Sequence, residues 1–149
     1  MATEAQPAAG GLRTEGSQRS EQATTISRAM VKLLRQISGR GPTKARTTIG
    51  RDHVLVMFED SLSEGERRLV EAGHRDDVAA VRRSYQDVME AEASAMVAEV
   101  TGRKVARFMS ANHLDPPDAA AEVFLFEPDG AGDQQPQEAE HREEPSEPV

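Results

Sequence analysis

The stretch Ser38-Gly39-Arg40-Gly41-Pro42-Thr43-Lys44-Ala45-Arg46 decides the fold, because it separates a predicted helix from a predicted strand. Apolar residues recur at helical spacing from Ser20 up to this stretch. Gly39 suits the left-handed position that follows a helix C-terminus, and Pro42 prevents the helix from resuming. Lys44–Ile49 then alternates as a strand does. The stretch is therefore predicted to be a corner between helical and extended structure.

Downstream of the corner, the sequence predicts a second strand and a short helix. Residues 53–58 are apolar on both faces, which is typical of a central strand covered on both sides. This strand is expected to pair with the preceding one as a hairpin. Ser63 and Glu66 match a capping box, so a short helix is predicted to begin at that point.

A long helix over residues 76–101 follows, and charged residues of both signs, including Arg82, are predicted on its surface. Two more strands are predicted over residues 103–110 and 122–126, joined by a loop that contains two adjacent prolines. The apolar stripe of the long helix is predicted to consist of Val78, Val81, Tyr85, Val88, Met89, Met96, Val97 and Val100.

The predicted order of elements is helix-strand-strand-helix-helix-strand-strand. Two hairpins around a helical pair predict an α+β fold, in which a four-stranded, mostly antiparallel sheet has helices against one face. The second face has apolar residues of its own and then needs covering. The domain is expected to span residues 20–128, between a disordered N-terminal arm (1–19) and an acidic disordered tail (129–149).

Composition excludes several classes of function. The chain has no cysteine, which excludes disulfides, thiol nucleophiles and cysteine-bound metals. A net charge of -8 argues against general nucleic-acid affinity. No run of apolar residues is long enough for a membrane span, and no secretory signal is visible. The four histidines lie in separate contexts, so no metal site and no catalytic constellation are predicted.

The charge is nevertheless uneven, because no acidic residue occurs between Gln22 and Arg51. The corner resembles a phosphate loop only superficially, since it lies at a helix C-terminus, whose dipole repels anions. Its basic side chains are a candidate site for an anion or a protein partner. Alternatively, they are neutralised internally by residues 59–60 or by the long helix, or they are shielded by the acidic tail. The candidate site consists of Arg40, Lys44, Arg46 and Arg51.

Several pieces of this pattern together resemble the MpsC-like family. They are the turn Gly39-Arg40-Gly41-Pro42, the strands around it, the helix end Thr101-Gly102-Arg103-Lys104-Val105 and the closing strands. The family takes its name from the Na+-translocating membrane-potential-generating system of bacteria and was formerly a domain of unknown function. The resemblance covers residues 20–128, and the terminal segments depart from it.

The resemblance implies a small soluble accessory or regulatory protein of a cation-coupled membrane system, tied to membrane potential or inorganic carbon handling. It carries over no catalytic residue, so neither enzyme activity nor a cofactor is expected. The expected partners are a second copy, giving a homodimer, and a subunit of the membrane system. The expected location is the cytoplasm and the inner face of the membrane. The alternative is an anion- or metabolite-binding sensor or enzyme that uses the basic corner.

Overall fold

The computed structural model of the chain describes residues 11–129, with side chains from residue 14 onward. Residues 1–10 of the predicted arm and nearly all of the predicted acidic tail lie outside this range. The elements are α1 (Gly11–Ser38), β1 (Lys44–Ile49), β2 (His53–Glu59), α2 (Glu64–Glu71), α3 (Arg75–Thr101), β3 (Val105–His113) and β4 (Ala119–Phe126). Their order is the predicted one.

Helix α1 begins at Gly11, so the prediction that it begins at Ser20 is wrong. The Thr24 hydroxyl donates a hydrogen bond to the Ser20 carbonyl at 3.1 Å, as expected inside a helix. The added turns mix good helix formers with two glycines, a threonine and a serine, and their side chains from residue 14 to residue 20 are exposed. Because the described side chains of this part of α1 are exposed, it has no apolar periodicity from which the sequence could predict it.

The corner after α1 has the predicted geometry. Gly39 has a φ of 80°, and its N–H donates to the Arg35 carbonyl at 3.0 Å. The Ser38 hydroxyl donates to the carbonyls of Leu34 and Arg40, each at 2.8 Å. A glycine adopts this left-handed φ readily, whereas residues with a Cβ rarely do, and so the helix ends cleanly before β1.

The four strands form one sheet in the order β1-β2-β4-β3, and all neighbours are antiparallel. The loop between β3 and β4 is shorter than predicted, because residues 112–113 and 119–121 belong to strands. Residues 119–121 are all alanine, which gave no strand signal, yet their backbone pairs with β3 and with β2. Tertiary pairing overrides the weak local preference.

Helices α1 and α3 cover the same face of the sheet and form the core with it. The rings of Phe108 and Phe124 lie 5.1 Å apart at an angle of 47° in this layer. A smaller apolar cluster of Leu62, Val78 and Leu114 lies at one end of the molecule. The main core consists of Ile26, Met30, Leu33, Leu34, Val54, Val56, Phe58, Met89, Ala93, Val97, Ala120, Phe124 and Phe126.

The buried side of α3 differs from the predicted stripe. Val81 and Val88 are 44% and 72% exposed, whereas Arg82, predicted on the surface, is buried. In its first half the helix buries Arg82 and Gln86 together with Val78, whereas Val81 faces outward. The buried residues of α3 are Val78, Arg82, Gln86, Met89, Ala93 and Val97.

Candidate functional site

The sheet has one face that no described helix covers, and we call it the open face. The core side chains of β2 and β4 all point to the other side, because successive residues of a strand alternate between faces. The prediction that β2 is covered on both sides is therefore wrong for the described residues. The register places on the open face Lys44, Arg46, Thr48, His53, Leu55, Met57, Glu59, Arg107, Met109, Ala111, His113, Ala119, Ala121, Val123 and Leu125.

The centre of the open face is apolar. Leu55 lies opposite Val123, and Val123 lies opposite Met109 on the edge strand. Met57 and Leu125 extend this apolar row along the two central strands, and both are half-buried. Met109 is 51% exposed. Such a contiguous apolar surface, bordered by charged residues, is the kind of patch at which proteins bind partners.

Two arginines on the open face have no partner within the described part of the chain. Arg46 on β1 and Arg107 on β3 are exposed, and within residues 11–129 neither guanidinium makes an ion pair or a hydrogen bond. The acidic residue of this face, Glu59, is already paired with Lys44, with 3.5 Å between Nζ and the carboxylate oxygen. The open face therefore has an unneutralised positive charge at two separate positions.

The four residues of the predicted basic site do not form one cluster. Lys44 and Arg46 share the open face of β1, as their alternation predicts. Arg40 turns away and donates to the carbonyls of Asp60 and Leu62. Arg51 lies in the turn at the far end of β1, where its carbonyl accepts a hydrogen bond from Arg103. Internal neutralisation therefore applies to Arg40, which pairs with Asp60, and to Lys44, which pairs with Glu59.

Arg40 belongs to a polar junction that joins the corner to the rest of the fold. Its guanidinium lies 3.0 Å from the carboxylate of Asp60, a residue in the left-handed region with a φ of 55°. Arg67 also pairs with Asp60, and lies 3.5 Å from Asp118. The Asp118 carboxylate accepts the backbone N–H of Ser61 at 2.8 Å. These contacts fix the segment that leaves β2 and give Arg40 a structural role.

A cleft of about 740 Å³ opens beside this junction. Its floor is apolar, and its polar lining consists mostly of side chains that already pair with one another. Glu59 and Lys44 occupy its rim as an ion pair. The lining thus holds no free pair of basic groups that would select an anion. The lining includes Leu62, Val70, Leu114, Pro116, Pro117 and Asp118.

A buried polar network lies between α3 and the sheet. Arg82 donates to the Asn112 side chain at 2.9 Å and to the Ser61 hydroxyl at 3.0 Å, and it lies 3.4 Å from the Glu66 carboxylate. Asn112 in turn donates to Gln86 at 3.3 Å. The network connects the start of α2, the middle of α3 and the end of β3.

Glu122 ends this network. It is 1% exposed, and one of its oxygens accepts a hydrogen bond from Gln86 at 3.4 Å. Burial raises the pKa of Glu122 to about 7, although the nearby Ser110 hydroxyl, Gln86 and Arg82 all favour the charged form. Sequence reasoning missed this residue, yet a signal existed: Glu122 alternates in phase with Phe124 and Phe126, which predicts an inward side chain.

No arrangement in the described part of the chain combines a nucleophile, a base and an oxyanion donor. Residues 11–129 contain no group of three histidine or acidic side chains placed to hold a metal ion. None of the helices in that range has the length and apolarity to cross a membrane. The feature with most potential for binding is therefore the open face.

These features define a class: α+β proteins with a four-stranded antiparallel sheet, two helices on one face and an apolar second face. The chain belongs to the MpsC family, described as Na+-translocating membrane potential-generating system (MpsC), which matches residues 18–127. The match covers all four strands, α2, α3 and most of α1, and it confirms the resemblance. No curated protein and no solved structure matches the chain.

Proposed function

We propose that this protein is a non-catalytic accessory protein of the Na+-translocating, membrane-potential-generating system that gives its family its name. One observation carries the proposal: the sheet presents an apolar face that no described helix covers, while its other face carries the main core. When a partner buries side chains such as Leu55, Met109 and Val123, the free energy of the complex falls by about 25 cal/mol for each Å² of apolar surface removed from water. A binding surface, rather than a catalytic centre, is what this fold provides.

In this proposal, the partner is a protein subunit of the membrane system, and the open face is the surface that binds it. The protein then works in the cytoplasm, at the inner face of the membrane. Its binding regulates or stabilises the system in generating membrane potential or in handling inorganic carbon. The family match supports the membrane system as the setting.

Self-association is a separate part of the proposal and uses another surface. Val81 and Val88 lie seven residues apart on α3, and both are exposed on its outward side. Ala91 and Ala95 are also exposed, and their small side chains allow a neighbouring helix to approach closely. A homodimer through α3 would leave the open face of each copy available.

The alternative function, an anion- or metabolite-binding sensor or enzyme, has less support. Of the four basic residues that it requires, Arg40 is engaged by Asp60 and by backbone carbonyls, and Lys44 by Glu59. Arg51 lies at the opposite end of β1 from Lys44. Only Arg46 and Arg51 keep side chains without a partner among residues 11–129.

Site-specific photo-cross-linking in cells tests the proposal. A photo-reactive amino acid replaces Met57 or Val123 on the open face, and Val88 on α3 serves as the control position. We expect Met57 and Val123 to form cross-links to a subunit of the membrane system, identified by mass spectrometry. Val88 is expected to form none with that subunit.

Two results would contradict the proposal. One is that open-face positions cross-link only to a second copy of the chain, which would make this face a homodimer interface. The other is that all three positions give the same products, which would mean that the open face has no specific partner.

A further inference from the structure

We infer that the open face binds a protein segment that is apolar along its middle and carries a carboxylate group towards each end. This inference rests on the proposed function and specifies the chemistry of the partner. It follows from three properties of the open face: the position of its apolar residues, the position of its two unpaired arginines, and the state of its own carboxylate.

The apolar residues define the middle of the segment. They form a continuous patch across β2, β4 and β3, in which Leu55, Val123 and Met109 lie side by side. Met57 and Ala121 are the next row along the strands. A polar segment would keep water in contact with this patch, whereas leucine- or valine-like side chains would remove its apolar surface from water.

The two unpaired arginines define the ends. Arg46 on β1 lies opposite Met57 on β2, which in turn lies opposite Ala121 on β4. Arg107 on β3 lies opposite Leu125, four residues beyond Ala121 on β4. Across the strands, the two arginines are three spacings of about 4.8 Å apart, and along the strands they are four residues of about 3.3 Å apart. Combined at right angles, these components place their backbones about 19 Å apart. They occupy opposite corners of the patch, and a segment crossing it diagonally meets one arginine at each end.

Charge favours a carboxylate-bearing partner over a second copy of this chain. The carboxylate of the open face, Glu59, is already bound to Lys44. Among residues 11–129, the open face of a second copy would therefore bring two more unpaired arginines and no unpaired carboxylate to the contact. Like charges without a partner cost free energy when they are brought into an interface.

The same face is poorly suited to a lipid surface. Proteins that insert into the headgroup region do so with protruding aromatic or leucine side chains. The open face has no phenylalanine, tyrosine or tryptophan, and Leu55 and Leu125 are half-buried between their strand neighbours. Of its large apolar side chains, only Met109 is more than half-exposed, so the face offers little to insert among lipids.

Designed peptides test the inference with the full-length protein. One fluorescent helical peptide of about 18 residues has leucines along one side. Two glutamates, in its first and last turns, are about 14 residues apart, because this spacing returns to the same side of the helix and spans about 21 Å, close to the separation of the two arginines. A second peptide has lysines in place of the glutamates. We expect the glutamate peptide to bind at least about tenfold more tightly, as measured by fluorescence anisotropy, a difference of about 1.4 kcal/mol.

Charge reversal supplies the decisive variant. Arg46→Glu combined with Arg107→Glu is expected to invert the preference, so that the lysine peptide binds more tightly. Arg28→Glu combined with Arg83→Glu makes the same change in net charge at exposed positions on the helices and is expected to keep the original preference. Circular dichroism of both double variants establishes that they are folded.

The inference is overturned if both peptides bind equally, if neither binds, or if the open-face variant keeps the original preference. It is also overturned if only vesicles containing phosphatidylglycerol bind at this face. The two experiments can also disagree. If Met57 cross-links to a membrane-system subunit but the two peptides bind equally, the proposed function stands and this inference fails. A clear peptide preference without such cross-links would do the reverse.

Discussion

Ser110 and Glu122 lie directly opposite each other on β3 and β4, and each has a buried side-chain oxygen without a hydrogen-bond partner among the described residues. The Ser110 hydroxyl is near enough to favour the charged form of Glu122 but lies outside hydrogen-bond geometry. An anion at this position is thus incompletely compensated, which agrees with the direction in which burial moves the pKa.

Stability is expected to fall as pH rises through the acidic range. The pKa of Glu122 is raised from its ordinary value of 4.5 to about 7, so between these values the folded state binds a proton that the unfolded state has lost. The folded state therefore loses stability between about pH 4.5 and 7, on the order of 3 kcal/mol from this group, and the loss levels off above pH 7. Glu122→Gln is expected to remove this slope.

Urea unfolding from pH 4.5 to 8 measures the effect of Glu122. Glu92→Gln, at an exposed position on α3, is the matched control and should keep the slope of the unsubstituted chain. A slope that is unchanged in Glu122→Gln would show that another group causes the pH dependence.

Arg82→Met is expected to destabilise the fold by about 3–5 kcal/mol. The substitution keeps an apolar stem of similar length but removes the guanidinium from the buried network, which leaves Asn112, Ser61 and Glu66 without their shared donor. Arg83→Met, one residue later and exposed, is expected to change stability by less than about 0.5 kcal/mol. Chemical denaturation compares the two; equal effects would mean that the network contributes nothing.

Arg40→Ala and Arg46→Ala separate structure from binding within the basic corner. Arg40 holds the Asp60 carboxylate and two backbone carbonyls, so its removal is expected to cost about 1–3 kcal/mol of stability. Arg46 has no partner among residues 11–129, and its removal is expected to leave the unfolding midpoint unchanged within error. A large loss of stability in Arg46→Ala would contradict its position on the open face.

Alanine at Gly39 and at Gly16 is expected to have opposite effects. At both glycines a Cβ would meet nothing within 4 Å, so steric crowding is not a factor. Gly39 has a φ of 80°, which an alanine tolerates poorly, and the cost is about 1 kcal/mol. Gly16 lies within α1, where alanine is expected to raise helicity and stability by about 0.5–1 kcal/mol. Thermal unfolding followed by circular dichroism checks both, and equal signs would contradict this account.

The sequence predicted most of the architecture because its strongest signals are local. Capping residues at Ser63, Gly39 and Gly102 marked helix boundaries that the structure reproduces. Alternation located β1, and a continuous apolar run located β2. The first turns of α1 and the alanine-rich start of β4 were missed, since neither has an apolar period or a strong propensity for its structure.

The candidate site was only partly predictable. Spacing placed Lys44 and Arg46 on one face of β1, but it could not show that Arg40 turns towards Asp60, a residue twenty positions away in the chain. The burial of Arg82 and of Glu122 was missed for a related reason. Charged residues are rarely buried, so a pattern that assigns charge to the surface fails where a tertiary network supplies the partners.

Because side chains alternate along β2 and β4, the two faces of the sheet are formed by two separate sets of residues on the same backbone. Val54, Val56 and Phe58 face the core, where a change of one methylene is felt by the whole fold. Leu55 and Met57, their immediate neighbours, touch none of it. Substitutions at every second position can thus change which partner the open face binds, while the core and the fold stay constant. Related chains can then differ in their partners and keep the same fold.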